Sequence, residues 1–193
     1  MIVKYIIKKG KEKGSFTKWV CGGMVIGFFM MTIFLSYAQR IDATNAQDSL
    51  YFANTSVYKY LDKKLLGEEI TEVVIKDPNA ALDIFKENLK YNMNLNSDFT
   101  IKDGKTISGK VQIQDFIIYN VFNDRIEIYT LSKSGIINKV IKNKSEKVIA
   151  PNGYNVVATT VYTSINFDID KLFGEKEKKE IKVGTDIVNY KDY

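Results

Sequence analysis

The chain of 193 residues contains no histidine. That removes the side chain that titrates near neutral pH, the usual general base and the commonest metal ligand. Its one cysteine, Cys21, lies inside an apolar run. No disulfide framework can form within the chain, and no cysteine nucleophile stands outside that run. Cys21 reads as a small apolar residue facing lipid or a neighbouring helix; lipidation near the end of the run is the alternative. No G-x-S-x-G, P-loop, G-x-G-x-x-G or EF-hand pattern occurs, which leaves the common nucleophile, phosphate and calcium signatures unmet. There is no internal repeat and no low-complexity linker.

Carboxylates alone can hydrolyse glycosides, but nothing in the sequence marks a deep site for a pair of them. Asp168 and Asp170 in NFDID are a candidate cation grip, with a solvated strand end as the alternative. Glu68 and Glu69 allow the same two readings. The expectation is therefore a non-catalytic protein with no cofactor and no metal. Nucleic-acid binding would need a concentrated basic face with suitable aromatics. The net charge of +5 does not supply one, because the last 20 residues hold five charges of each sign.

What the sequence does have is WVCGGMVIGFFMMTIFLSY, residues 19–37, without a charged residue. At ~1.5 Å of rise per residue this run spans about 28 Å as a helix, the thickness of a bilayer's hydrocarbon core. A helix satisfies its own backbone there. A buried core helix and a cleaved secretory signal are the rival readings. The run is long for a signal, whose apolar part is usually ~7–15 residues, and no small-x-small site closes it. The expectation is a retained transmembrane helix in contact with the lipid bilayer. Lys4, Lys8, Lys9, Lys11, Lys13 and Lys18 precede it, opposed only by Glu12. Such a cluster holds its end in the cytoplasm and suits anionic headgroups, so the remainder is expected outside a cell membrane crossed once.

Residues 1–18 form a basic leader and 19–37 the span. Gly23 and Gly27 make a G-x-x-x-G pair, a candidate helix-packing face for homo- or hetero-oligomers. Residues 38–66 continue as helix, with Ala46, Leu50, Ala53, Val57, Leu61 and Leu65 on one stripe; Asp42, Gln47, Asp48, Asn54 and Lys63 fall mostly elsewhere. Gly67 is the expected stop. Tyr51, Phe52, Tyr58 and Tyr60 are expected to cover a sheet, with subunit contacts as the alternative.

Residues 67–193 read as one α+β domain. A short strand is expected over 68–76. Asp77 caps a helix that opens at Pro78 and buries Leu82, Phe85 and Leu89. Asp103 and Gly104 suggest a hairpin turn. Strands follow over 111–122, 125–131, 136–141, 153–169 and 179–190, with turns at Asn123-Asp124 and Ser134-Gly135. The fold class is thus α+β: an N-terminal transmembrane helix continuing into a long extracytoplasmic helix packed on a mostly antiparallel sheet.

This layout resembles the type IV pilin-like proteins, above all the TadE/TadG-like pseudopilins of tight-adherence (Flp) pilus systems. KGSFTKWV (13–20) is similar to their leader, with Gly14 and Ser15 as the candidate processing site. AQRIDATNAQDSLYFANTSVYKYL (38–61) is similar to their helical continuation, with Arg40, Gln47, Asp48 and Ala53 placed as in that pattern. The resemblance covers residues 10–66. It implies a membrane component of a pilus or related secretion machine whose partners are other envelope assembly proteins. The fifth position after Gly14 is Trp19, where pilin-like proteins usually carry glutamate, which points to a minor or membrane-retained member.

Overall fold

A computed structural model describes residues 2–62, 72–102, 106–132 and 134–187, with side chains from Phe16 onward except that of Leu172. The chain divides into two compact units, Met1–Ile41 and Asp42–Tyr193. Helix α1 runs Ile2–Ser56 and tightens into a 3-10 turn, Val57–Tyr60. Helix α2 is Pro78–Asn92. Five strands follow: β1 (Ile107–Val121), β2 (Arg125–Leu131), β3 (Ile137–Asn143), β4 (Thr160–Asp170) and β5 (Lys176–Asp186).

The five strands form one antiparallel sheet in the order β3-β2-β1-β4-β5. Strands β1, β2 and β3 make a meander through short turns. The connection 144–159 then carries the chain to the other side of β1, and β4 and β5 close as a hairpin. The second unit is therefore α+β, with helices packed on one face of an antiparallel sheet.

That face holds the larger core. From α1 and the 3-10 turn that follows it, the stripe Ala46, Leu50, Ala53 and Val57 is buried at 0–2% exposure. It meets Phe116 and Ile118 of β1, Val161, Ile165 and Phe167 of β4, and Leu82, Phe85 and Leu89 of α2 in one cluster. The Phe85 and Phe116 rings lie 5.1 Å apart in tilted contact. Each such side chain removed from water contributes roughly 1.5–3 kcal/mol. The opposite face carries a smaller cluster, Ile117, Tyr119, Ile126 and Tyr162, covered by Val148, Ala150 and Val156 of the connection.

Helix α2 begins as its sequence requires. The Asp77 carboxylate accepts from the backbone N–H groups of Asn79 (3.1 Å) and Ala80 (3.0 Å), and Pro78 occupies the first turn. Two of the orphan donors at the helix start are thereby satisfied.

Helix α1 departs from expectation at its end. It does not run to residue 66: Leu61 has extended backbone geometry and pairs with Ile75. The Asp62 N–H donates to the Val74 carbonyl and the Lys76 N–H to the Tyr60 carbonyl, both at 2.9 Å. A strand-like partner thus replaces the helix's own hydrogen bonds, although Leu61 continues the apolar spacing. Gly67, Leu65 and the first part of the expected strand 68–76 lie outside the described residues, as do Asp103-Gly104. The expected strand 153–169 is shorter than its sequence suggests, since only Thr160–Asp170 joins the sheet. Residues 153–159 instead belong to the covering connection, closed by an Ile149–Asn155 bridge.

Candidate functional site

In the first unit the feature of interest is the surface of α1. Between Lys18 and Arg40 the sequence carries no charge for 21 residues, about 31 Å of helix. Its large apolar side chains are open on every side: Trp19 is 80% exposed and Phe34 75%. Apolar residues all round a helix suit a surrounding of the same polarity. The two aliphatic hydroxyls of the run turn inward on the backbone, Thr32 Oγ1 donating to the Phe29 carbonyl at 2.7 Å and Ser36 Oγ to the Thr32 carbonyl at 2.9 Å. Neither needs a partner from solvent. Trp19 and Tyr37 stand at the two ends of the run, where amphipathic rings collect at membrane–water boundaries. Among the described residues this is the one helix long and apolar enough to cross a membrane.

Gly23 and Gly27 share a face of this helix with no atom within 4 Å of where a Cβ would stand. Gly14 and Ser15 fall within the span of α1.

In the second unit three groups of polar side chains bear on what the domain can do. Asn54 of α1, fully buried, donates through Nδ2 to the carbonyls of Val161 (3.4 Å) and Val183 (3.2 Å) and to Thr185 Oγ1 (3.4 Å). Its Oδ1 accepts from Thr163 Oγ1 at 2.8 Å. One amide thus holds the helix to two strands. Sequence periodicity placed Asn54 off the apolar stripe, and the structure buries it against β4 and β5. Asp42 is similarly recruited: its Oδ2 accepts from Thr106 N (2.9 Å) and Thr106 Oγ1 (2.6 Å). Asn120 of β1 exchanges two 2.8 Å hydrogen bonds with the backbone of Ile75, standing in for a strand neighbour.

The second group centres on Glu127 of β2. Its carboxylate meets Arg125 Nε at 3.1 Å, Lys139 Nζ at 2.8 Å and the Tyr129 hydroxyl at 2.8 Å. Burial alone would raise its pKa, but the hydrogen bonds from Lys139, Tyr129 and Arg125 hold it below the usual glutamate range. A carboxylate so held stays ionised and is no proton donor at neutral pH.

The third group lies on the sheet face away from the helices. Ser164 Oγ donates to Asp115 Oδ2 at 2.6 Å. Burial, with Tyr162 and Asp115 nearby, pushes the Tyr119 phenol up to about 12. The buried Tyr162 hydroxyl has no hydrogen-bond partner, and burial raises its pKa as well. Both phenols are therefore neutral at physiological pH.

Of the candidate cation grip, Asp170 is engaged by its neighbours. Asp170 Oδ1 accepts from Ser108 Oγ at 2.6 Å and faces Lys176 Nζ at 3.9 Å. No group of three or more acidic or cysteine side chains able to hold a metal occurs among the described residues. Glu68 and Glu69 lie outside them. A cleft of about 30 Å³ lies beside Asp42, Ser49 and Met93, room for about one water.

Of the four aromatics expected over the sheet, Tyr58 and Tyr60 pack on the core. Tyr51 and Phe52 are exposed at 48% and 60%, forming an edge-on pair 6.0 Å apart. Two successive helical positions diverge by ~100°, so residues adjacent to Leu50 and Ala53 cannot all reach the sheet.

No protein-family model, curated protein or solved structure matches this chain.

Proposed function

We propose that this chain is a non-catalytic, membrane-anchored component of a pilus of the tight-adherence type, or of a related secretion or assembly machine. It acts by helix packing and by contacts of its outer domain. The observation that carries the reading is the uncharged run between Lys18 and Arg40, apolar and exposed around its whole circumference. In a bilayer that surface costs nothing, whereas in water it is an aggregation site. The lysines before the run orient the leader to the cytoplasm and the domain to the outside. The open face at Gly23 and Gly27 allows a second helix to approach closely.

A second reading is a stand-alone anchored binding or scaffold domain. It is favoured by Trp19, which occupies the position where pilin-like proteins carry the glutamate that registers one subunit on the next.

Intact mass of the protein extracted from its native membrane separates these readings. A chain lacking residues 1–14 is the expected result for the pilus component. A full-length chain overturns processing after Gly14 and leaves an uncleaved assembly factor or scaffold. A chain beginning near Ala38 overturns the anchor itself.

A further inference from the structure

The two free edges of the sheet differ. On β5, residues 176–180 read KEKKE, five consecutive charges. An edge of that composition repels a further strand. On β3, Val140 and Ile141 are 53% and 57% exposed, and Ile136 just before it 64%. Lys139 is already engaged by Glu127 of its own sheet.

The hydrogen-bond phase of β3 follows from its ends. Ser132 N donates to the Ile136 carbonyl at 2.8 Å and Lys144 N to the Asp124 carbonyl at 3.1 Å. Together with the register Ile128↔Val140 and Ile126↔Lys142, these bonds make the even-numbered residues of β3 the ones bonded to β2. The backbone N–H and C=O groups of Ile137, Lys139 and Ile141 therefore point away from the sheet with no strand beside them among the described residues, whereas those of Asn143 are taken up by the turn that follows, its N–H donating to Glu146 Oε1 at 3.3 Å and its C=O accepting from Glu146 N at 3.0 Å.

We propose that β3 pairs antiparallel with β3 of a second copy about a two-fold axis at Val140, joining two five-stranded sheets into one. The phase requires the axis to pass through a residue, and Val140 is the middle residue of β3. Outward-facing residues must pair with outward-facing ones, so Lys139 bonds Ile141 of the second copy, and Ile137 lies opposite Asn143. Val140 then faces its own equivalent as a non-hydrogen-bonded pair. All seven residues lie opposite a residue of the second copy, and the two Lys139–Ile141 pairs give about four main-chain hydrogen bonds across the axis. Lys139 lies opposite Ile141 and Lys142 opposite Asn138, so no lysine opposes a lysine. A shift of one residue in the centre, to Lys139, would set two lysines face to face, which is destabilising. The strand's own charge spacing thus accepts a second copy in this register. An isologous contact of this kind closes on itself as a dimer.

The pairing goes beyond the anchoring reading and is tested separately from it. Full-length protein in detergent micelles, with Cys21→Ser as background, is given Val140→Cys and oxidised mildly. Non-hydrogen-bonded antiparallel partners approach to about 4.5 Å between Cα atoms, within disulfide reach. The expected result is a disulfide-linked dimer formed at least tenfold faster than with Val157→Cys, a more open site elsewhere on the domain (64% exposed against 53%). Adding Ile141→Pro, which deletes an outward N–H and no bond to β2, is expected to abolish the difference. Ile141→Lys, which sets a lysine opposite Lys139 of the second copy, does the same where proline disturbs folding. Cross-linking through residue 140 no faster than through 157, or undiminished by both Ile141 variants, overturns the proposal. Either outcome leaves the anchor's extraction behaviour unchanged.

Discussion

Two stretches of α1 solve opposite problems with similar residues. Residues 19–37 are apolar on every side and bury none of it within the protein, whereas residues 46–57 hold Ala46, Leu50, Ala53 and Val57 on one stripe and bury all four. Both are rich in Ile, Leu, Val, Phe or Ala. The difference is angular distribution: a stripe calls for a protein partner, and a full cylinder calls for an apolar surrounding. The polar atoms agree. In the first stretch Thr32 and Ser36 bond only to their own helix. In the second, Asn54 reaches across to strands more than 100 residues away.

The comparison breaks most sharply at Leu50. Leu50→Ala opens a cavity against the sheet and is expected to lower the domain's unfolding free energy by about 3–5 kcal/mol, read by chemical denaturation. The same measurement should not register Ile26→Arg. That change is expected instead to cost about 2.5–3.5 kcal/mol of membrane insertion, read as the inserted fraction in a translocation assay. Asn54→Ala leaves Thr163 Oγ1 and two strand carbonyls short of a partner and should destabilise the domain by about 1–3 kcal/mol, again without effect on insertion.

The smallest effect is acidic. Glu127 has a folded pKa below its ordinary value of 4.5, so the unfolded chain binds its proton first as pH falls. The stability it contributes is complete above about pH 4.5 and is lost as pH drops through the lower folded value. Glu127→Gln should flatten that part of the acid-unfolding curve by about 1 kcal/mol. Residues 19–37 contain no carboxylate, so insertion should not share this dependence.

Much of the fold was legible where local chemistry and tertiary need coincide. Asp77 and Pro78 announce α2 because a cap and a first-turn proline act within four residues of themselves. Alternation in RIEIYTL gives β2 its bounds because successive side chains pack on opposite faces of the sheet, Ile126 and Ile128 on one and Tyr129 and Leu131 on the other. Legibility fails where a distant partner decides. The apolar spacing of Leu61 favours helix, but backbone pairing with Ile75 outcompetes it. Residues 153–159 have strand composition, yet Val156 is used to cover the outer face of the sheet instead. Asn54 is polar and reads as surface; four buried groups of β4 and β5, which no local pattern reveals, make it core. For the site, the apolar cylinder was fully readable. The outward phase of the β3 backbone was not, because it depends on which neighbour β2 becomes.

The partners of Asn54 have a consequence in time. Its bonds reach 107 residues forward to Val161 and 131 to Thr185. At ~5–20 residues per second of synthesis, its helix stripe waits roughly 5–25 s for the strands that cover it. The meander of β1, β2 and β3 emerges first, but the amide can be satisfied only when the last hairpin arrives. Commitment of this part of the domain is thus deferred until the β4–β5 hairpin has been made.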